Sequence, residues 1–328
     1  MKFSKKFYFD YILFFGIVTL FFSIFSAFRI FGTGVDYVGY RGIFYGDKST
    51  EPMFRLLRII NNFVNEGTVT LVFIYFFCAF IGLYLKGLFY AKYSNNFFIS
   101  ILFYIFTIYF LHEYTQIRAA IGLGICYLSV KEINKKEFTK FTIKILFAMC
   151  FHYSSVIMFA VYFYCNFFKK PKRYFQILWI TFIASVFLYK FLHGQNLFIF
   201  LGSNLYSKLF FLEKLGALQN MADFSVFNIC YLLILIMNTI FYFLYKGFLD
   251  KNYDFTIFQL SSLSAIIFYC LFNLGFNVVT FRLSEFFIPF LFIVIPKIIS
   301  RFKEKIFLMP FAVLILVYYA RIFLKAVL

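Results

Sequence analysis

Long apolar runs, broken by short polar stretches, dominate the chain from end to end. They cover about Tyr8–Ile30, Val69–Leu85, Asn96–Leu111, Thr115–Val130, Phe141–Phe168, Tyr174–Leu192, Val226–Tyr245, Phe255–Leu274, Ser284–Ile299 and Ile306–Leu324. About 20 apolar residues in a helix cross the hydrocarbon core of a bilayer, so the runs predict about nine or ten transmembrane helices. The first run is too long for a secretory signal and lacks a small-x-small cleavage site, so it reads as a retained span. The connections are short except for 31–68 and 193–225. No internal repeat or Pro/Gly-rich linker divides the chain, which therefore reads as one integral membrane domain over 1–328. Within the first long connection the pattern turns helical after Pro52, with Met53, Leu56, Leu57, Ile60 and Phe63 on one face and Arg55, Arg58 and Asn62 on another. That is the signature of a short amphipathic helix lying in the membrane interface.

Composition agrees: 63% of the 328 residues are hydrophobic and only 14% charged. A soluble domain is about half apolar and a quarter charged. The 32 Lys and Arg outnumber the 14 Asp and Glu, leaving a formal +18. Nucleic-acid-binding patches lie on water-facing surfaces. Here the lysines cluster between apolar runs instead, as the positive-inside rule requires, so no nucleic-acid partner is expected. The six cysteines lie singly in apolar stretches, without a CxxC pair, and read as small buried hydrophobes.

Charge then sets orientation. Lys2, Lys5 and Lys6 place the N-terminus inside, Lys86 and Lys92 fall inside, His112–Arg118 outside and Lys131–Lys144 inside. If Phe141–Phe168 were a single crossing, the basic run Lys169–Arg173 would lie outside. Two crossings do not fit either, since 28 residues at 1.5 Å each reach only about 42 Å in total. A re-entrant hairpin, with two half-helices meeting near His152-Tyr-Ser-Ser155, restores the alternation. On this topology the inner side carries 20 basic residues, of which only Arg173 and Arg301 are arginine. The outer side carries 12, and seven of these are arginine: 29, 41, 55, 58, 118, 282 and 321. Any cation sets topology, whereas the planar guanidinium fork binds phosphate or carboxylate in bidentate fashion.

Four clusters hold the candidate chemistry. The first outer loop presents Asp36 between tyrosines, then Arg41 and Glu51; Asp36 is a candidate base facing the outer headgroups. The second is His112-Glu-Tyr-Thr-Gln116-Ile-Arg118, followed by Ala119, Ala120, Gly122 and Gly124, small residues that let helices pack closely. A cation opening a helix opposes the helix dipole, which points to an anion there; Glu113 or a ligand would serve. The third is His152, an ionisable group within an apolar run that reads either as functional or as a hydrogen-bonded strut. In the fourth, Arg282 and Glu285 stand three apart, so they either pair or form half of a phosphate clamp. No Gly-rich phosphate loop, nucleophile elbow or metal-spaced His/Asp set occurs, so neither metal nor cofactor is expected.

Taken in order, Gly34-x-Asp36-Tyr-x-x-Tyr40, Glu51-Pro-x-Phe54, Gln116-x-Arg118-x-Ala120, Phe151-His152-x-Ser154 and Phe281-Arg282 before Pro289 resemble the EpsG family of bacterial polysaccharide polymerases, related in role to the Wzy O-antigen polymerases. The resemblance runs from about residue 7 to 300. It implies a fold like that of the GT-C lipid-sugar glycosyltransferases and a multi-pass enzyme of the bacterial inner membrane with its active site facing the periplasm. The implied reaction is metal-independent joining of oligosaccharide repeats carried on undecaprenyl pyrophosphate, for O-antigen or another surface polysaccharide. By the family pattern Arg118 and Arg282 bind the pyrophosphate, Asp36 is the base with His152 as second choice, and Arg41, Glu51, Glu285 and Gln116 support substrate binding. Membrane lipids, a flippase and a chain-length regulator are the implied partners. A flippase for lipid-linked oligosaccharide, an O-antigen ligase and a membrane acyltransferase are the competing readings.

Overall fold

The computed structural model describes residues 5–28, 40, 51–64, 72–192, 226–245, 253–274 and 277–301. These are helical almost throughout, and no strand occurs among the described residues. The helices are α1 (Lys5–Ala27), α2 (Pro52–Val64), α3 (Val72–Tyr93), α4 (Phe97–Thr107), α5 (Ile117–Tyr127), α6 (Val130–Lys135), α7 (Phe138–Phe151), α8 (Ile157–Phe167), α9 (Pro171–Leu192), α10 (Ile229–Tyr245), α11 (Asp254–Leu271), α12 (Asn277–Glu285) and α13 (Ile288–Arg301). A π-helix, Phe110–Thr115, joins α4 to α5. Helices α3 and α11 are each long and apolar enough to cross a membrane, and Val279–Glu285 with Ile288–Arg301 would make a further span bent by 45°. Shorter apolar helices cover Phe15–Ala27, Phe97–Thr107, Tyr153–Phe167 and Ile229–Tyr245. The chain is an all-α membrane protein, as the apolar runs predict. The expected span over 306–324 and the long connection 193–225 lie outside the described residues.

The helices gather into two compact units, one holding Ile101–Phe163 with the described residues up to Tyr93, the other Ser94–Ser100 with those from Tyr164 on. In the first unit α3 and α5 run parallel, with Ala120 against Gly82, Leu85 against Gly124 and Phe89 against Tyr127. Glycine is required at both contacts. A Cβ at Gly82 would lie 2.9 Å from the Ala120 Cβ, and one at Gly124 would lie 2.7 Å from the Leu85 Cβ. The small-residue face Ala119–Gly124 is thus a helix-packing seam, as its composition suggests.

Helices α7 and α8 form a helical hairpin, broken where the polar cluster of the run is expected to break it. The break falls at His152, whose backbone is extended (φ −153°, ψ 111°), followed by one 3₁₀ turn over Tyr153–Val156. The two helices fold back on each other: Phe138, at the start of α7, meets Tyr162 at 5.2 Å and Phe163 at 5.6 Å between ring centroids, and Phe141 meets Tyr162 at 4.7 Å. With 14 and 11 residues, the helices reach about 21 and 17 Å, short of a 30 Å core.

Helix α2 differs from expectation in the face it buries. Phe54 and Leu57 are buried, while Leu56, Ile59, Ile60 and Phe63 are exposed. The apolar arc is wider than a single contact, so one edge seals against protein and the rest faces outward.

Two devices in the second unit satisfy backbone that helix ends and proline leave unpaired. Pro296 has no N–H to offer the carbonyl of Phe292 one turn earlier, and the Ser100 hydroxyl donates to that carbonyl at 2.6 Å. Gln259 donates through Nε2 to the carbonyls of Cys165 (3.0 Å) and Phe168 (2.8 Å), at the end of α8. Its own backbone carbonyl accepts from Tyr174 at 2.8 Å. Lys297, near the end of the apolar run Ser284–Ile299, is buried in α13 and pairs with Asp254 at the start of α11.

Candidate functional site

Arg118 opens α5, in the first unit, and the structure brings it to Glu51 at the start of α2. Its Nη1 donates to both carboxylate oxygens, at 3.1 and 3.2 Å. The Tyr40 ring lies 5.6 Å from the guanidinium carbon and packs on Phe54 and Tyr75. Glu51 is 4% exposed and Arg118 29%. The guanidinium is therefore held from behind and open in part in front, while its buried Nε has no hydrogen-bond partner. An anion at this helix start is what the dipole argument requires. It is Glu51, not Glu113.

Because α3 and α5 are parallel and Ala120 faces Gly82, Arg118 is level with the interior of α3, not with its end at Val72. Although it opens α5, the side chain rises from a recessed seat.

Glu113 belongs to a second, fully buried cluster. The π-helix gives an extra residue to its turn, with Gln116 N–H donating to the Leu111 carbonyl at 2.8 Å. That turn aims the Glu113 carboxylate at the Lys86 ammonium and the Tyr104 hydroxyl, both of which donate to it. Lys86 also donates to the Ala120 carbonyl at 2.7 Å, and Ser26 to the Glu113 carbonyl at 3.0 Å. All four side chains are buried. Charge counting placed Lys86 in an inner loop. Instead α3 continues unbroken to Tyr93 and Lys86 sits among protein, beside an acid assigned to the opposite side. The available signal was the apolar sequence beyond it, Leu88-Phe89-Tyr90, which prolongs the helical pattern.

Gln116 sits at the break between the π-helix and α5, 7% exposed and outside the helical backbone region (φ −96°, ψ 58°). His152, at the hairpin break, packs on α5: a Cβ on Gly122 would lie 3.0 Å from the His152 Cβ. Gly122 is one turn beyond Arg118, so the hairpin break and the arginine share a face of α5.

Arg282 and Glu285 lie in the second unit and pair at 3.8 Å, three residues apart in the last turn of α12. Arg282 is 31% exposed and Glu285 fully buried. Ser284 between them hydrogen-bonds Tyr231, whose ring stacks on Phe268 at 3.7 Å, so that turn is held firmly. Asp36 and Arg41 lie outside the described residues. Of the six cysteines, all free, four are buried, Cys150 is half-buried and Cys270 is exposed, which departs from uniform burial. Among the described residues no three His, Cys, Asp or Glu side chains converge.

Helices of membrane length and buried charges matched in pairs define an integral membrane protein. The chain belongs to the EpsG family, whose model matches residues 12–328. That family is associated with polysaccharide polymerisation. No curated protein and no solved structure matches the chain.

Proposed function

We propose that the protein, as one integral membrane domain, polymerises oligosaccharide repeats carried on undecaprenyl pyrophosphate at the periplasmic face of the bacterial inner membrane. The product is O-antigen or another surface polysaccharide. Arg118 carries this reading: a guanidinium seated inside the bundle, oriented by Glu51 and open in part, in a chain of a polysaccharide-polymerising family.

A sugar hydroxyl of the incoming repeat attacks the anomeric carbon of the growing chain. The new C–O bond forms as the bond to the pyrophosphate oxygen breaks, and the hydroxyl proton passes to a base. Charge develops on the departing lipid pyrophosphate, and preoriented guanidinium donors stabilise it most where water is excluded. Arg118 takes that role, with Arg282 as a further phosphate-binding cation. Asp36 is the preferred base, because acids of the first outer loop fill that role in the wider class of lipid-sugar glycosyltransferases, and His152 is the second choice. Arg41, Glu51, Gln116 and Glu285 support binding. The chemistry assigned here uses no metal or cofactor. Membrane lipids surround the protein, and a flippase and a chain-length regulator are its functional partners.

Purified protein incubated with a defined lipid-linked repeat should produce a ladder of polymer lengths. In cells, Arg118→Ala and Arg282→Ala should each collapse surface glycan toward single repeats. If both variants leave polymer length and amount unchanged, the assignment of these arginines is wrong.

A further inference from the structure

Lys86 bridges a break. Its ammonium donates to the Glu113 carboxylate, which precedes the non-helical Gln116, and to the Ala120 carbonyl, which follows it. Arg118 stands between those two anchor points. Tyr104 donates to the other Glu113 oxygen and Ser26 to its backbone carbonyl, so the last turn before the break is held from three helices: α1, α3 and α4.

Stability alone does not explain this arrangement. Replacing a buried ion pair by apolar groups of similar volume is often neutral or stabilising, because desolvating two charges offsets their attraction. What an ion pair adds is geometry. Here a point charge fixes the spacing between the π-helix and α5, and that spacing sets where Arg118 starts and how it meets Glu51. The close seam at Gly82 lets the lysine reach the Ala120 carbonyl at all.

We propose that Lys86, Glu113 and Tyr104 form a positioning network that holds Arg118 in register with Glu51 and does not itself touch substrate. The role of Arg118 in transfer rests on the proposed polymerase reading, whereas the register itself does not.

The experiment therefore has two arms. In the first, the parent, Lys86→Met, Glu113→Gln and the double variant Lys86→Met/Glu113→Leu are purified, and thermal stability is measured beside kcat and KM for the lipid-linked repeat. Each single variant should lose stability, and kcat should fall about a hundredfold with KM within about threefold, the scale of a misplacement near 1 Å. The double variant should regain stability yet keep the low kcat. A double variant with parental kcat would show a merely structural pair and overturn the proposal. In the second arm, Arg118→Cys is made with and without Lys86→Met, and its modification rate by a water-soluble thiol reagent is measured in membranes. A rate altered about tenfold or more supports the register; an unchanged rate overturns it, whatever reaction the protein catalyses. Absence of turnover in the parent would count against the polymerase reading alone.

Discussion

Replacing Gly82 by alanine tests the α3–α5 seam. The added methyl would lie 2.9 Å from the Ala120 Cβ, 3.1 Å from its carbonyl carbon and 3.2 Å from its carbonyl oxygen. Carbon atoms rest about 3.5–4.0 Å apart, so the helices must part by about 1 Å. Two of the three obstructing atoms are helical backbone, which cannot swing aside as a side chain would. Parting the helices draws the Ala120 carbonyl away from Lys86, stretching a 2.7 Å bond beyond hydrogen-bonding range. If the lysine follows the carbonyl, it leaves Glu113 instead. Overpacking costs about 1–3 kcal/mol and loss of a hydrogen bond to a charged group about 1.5–3 kcal/mol. Removing a mid-helix glycine returns about 1 kcal/mol. The net loss should be about 1.5–5 kcal/mol.

Gly16 is the matched control, because a Cβ there meets nothing within 4 Å. Gly16→Ala should be neutral or stabilising by about 0.5–1 kcal/mol. Both variants would be unfolded in mixed micelles by increasing SDS while helicity is followed by circular dichroism. If Gly82→Ala matches the parent, or exceeds Gly16→Ala in stability, the close seam and the reach of Lys86 derived from it are refuted.

Two further outcomes follow from the other elements. Cysteines at Lys140, in the first turn of α7, and at Lys172, in the first turn of α9, should be modified from the same side of the membrane by an impermeant reagent; opposite sides would make the α7–α8 pair a crossing, not a re-entrant hairpin. Ser100→Ala should cost about 1–2 kcal/mol in the parent. In a Pro296→Ala background, where the new N–H serves the Phe292 carbonyl, it should cost much less, and equal costs in a double-mutant cycle would show that Ser100 does not stand in for the missing donor.

The residue pattern made some of this legible and hid the rest for a physical reason. Helices, the break at His152 and the small-residue seam all rest on local signals: apolar length, a polar cluster within it, and Ala and Gly at helical spacing. The face of α2 could not be read that way. Lipid and protein interior are equally apolar, so hydrophobicity marks Leu56, Ile60 and Phe63 without saying which environment receives them. Lys86 was misplaced for a related reason. Topology rules treat a lysine as a loop residue, and its burial depends on an acid 27 positions away that a sequence window does not see. Arg118 and Glu51 were each legible as chemistry but not as a pair, since 67 residues separate them.

The pairing of acids with cations carries the distinction further. Glu51, Glu113, Glu132 and Glu285 are the buried glutamates among the described residues, and each faces a cation: Arg118, Lys86, Lys144 and Arg282. A buried carboxylate is expensive unless paired, so every one of them is committed to holding a basic side chain. The difference lies in the partner. Lys86 is sealed on all sides, and its charge is used up within the protein. Lys144 caps α5 by donating to the Leu128 carbonyl at 3.3 Å. Among these four cations Arg118 and Arg282 combine a planar fork with partial exposure, each backed by a glutamate almost wholly buried. An acid behind an arginine neutralises the pair at long range, so it contributes little to attracting an anion. What it supplies is orientation, because it takes up one part of the guanidinium and leaves the remainder aimed. On the proposed function, an arginine seated this way suits a ligand with several charged oxygens at short range, as a pyrophosphate has, better than a single diffuse charge.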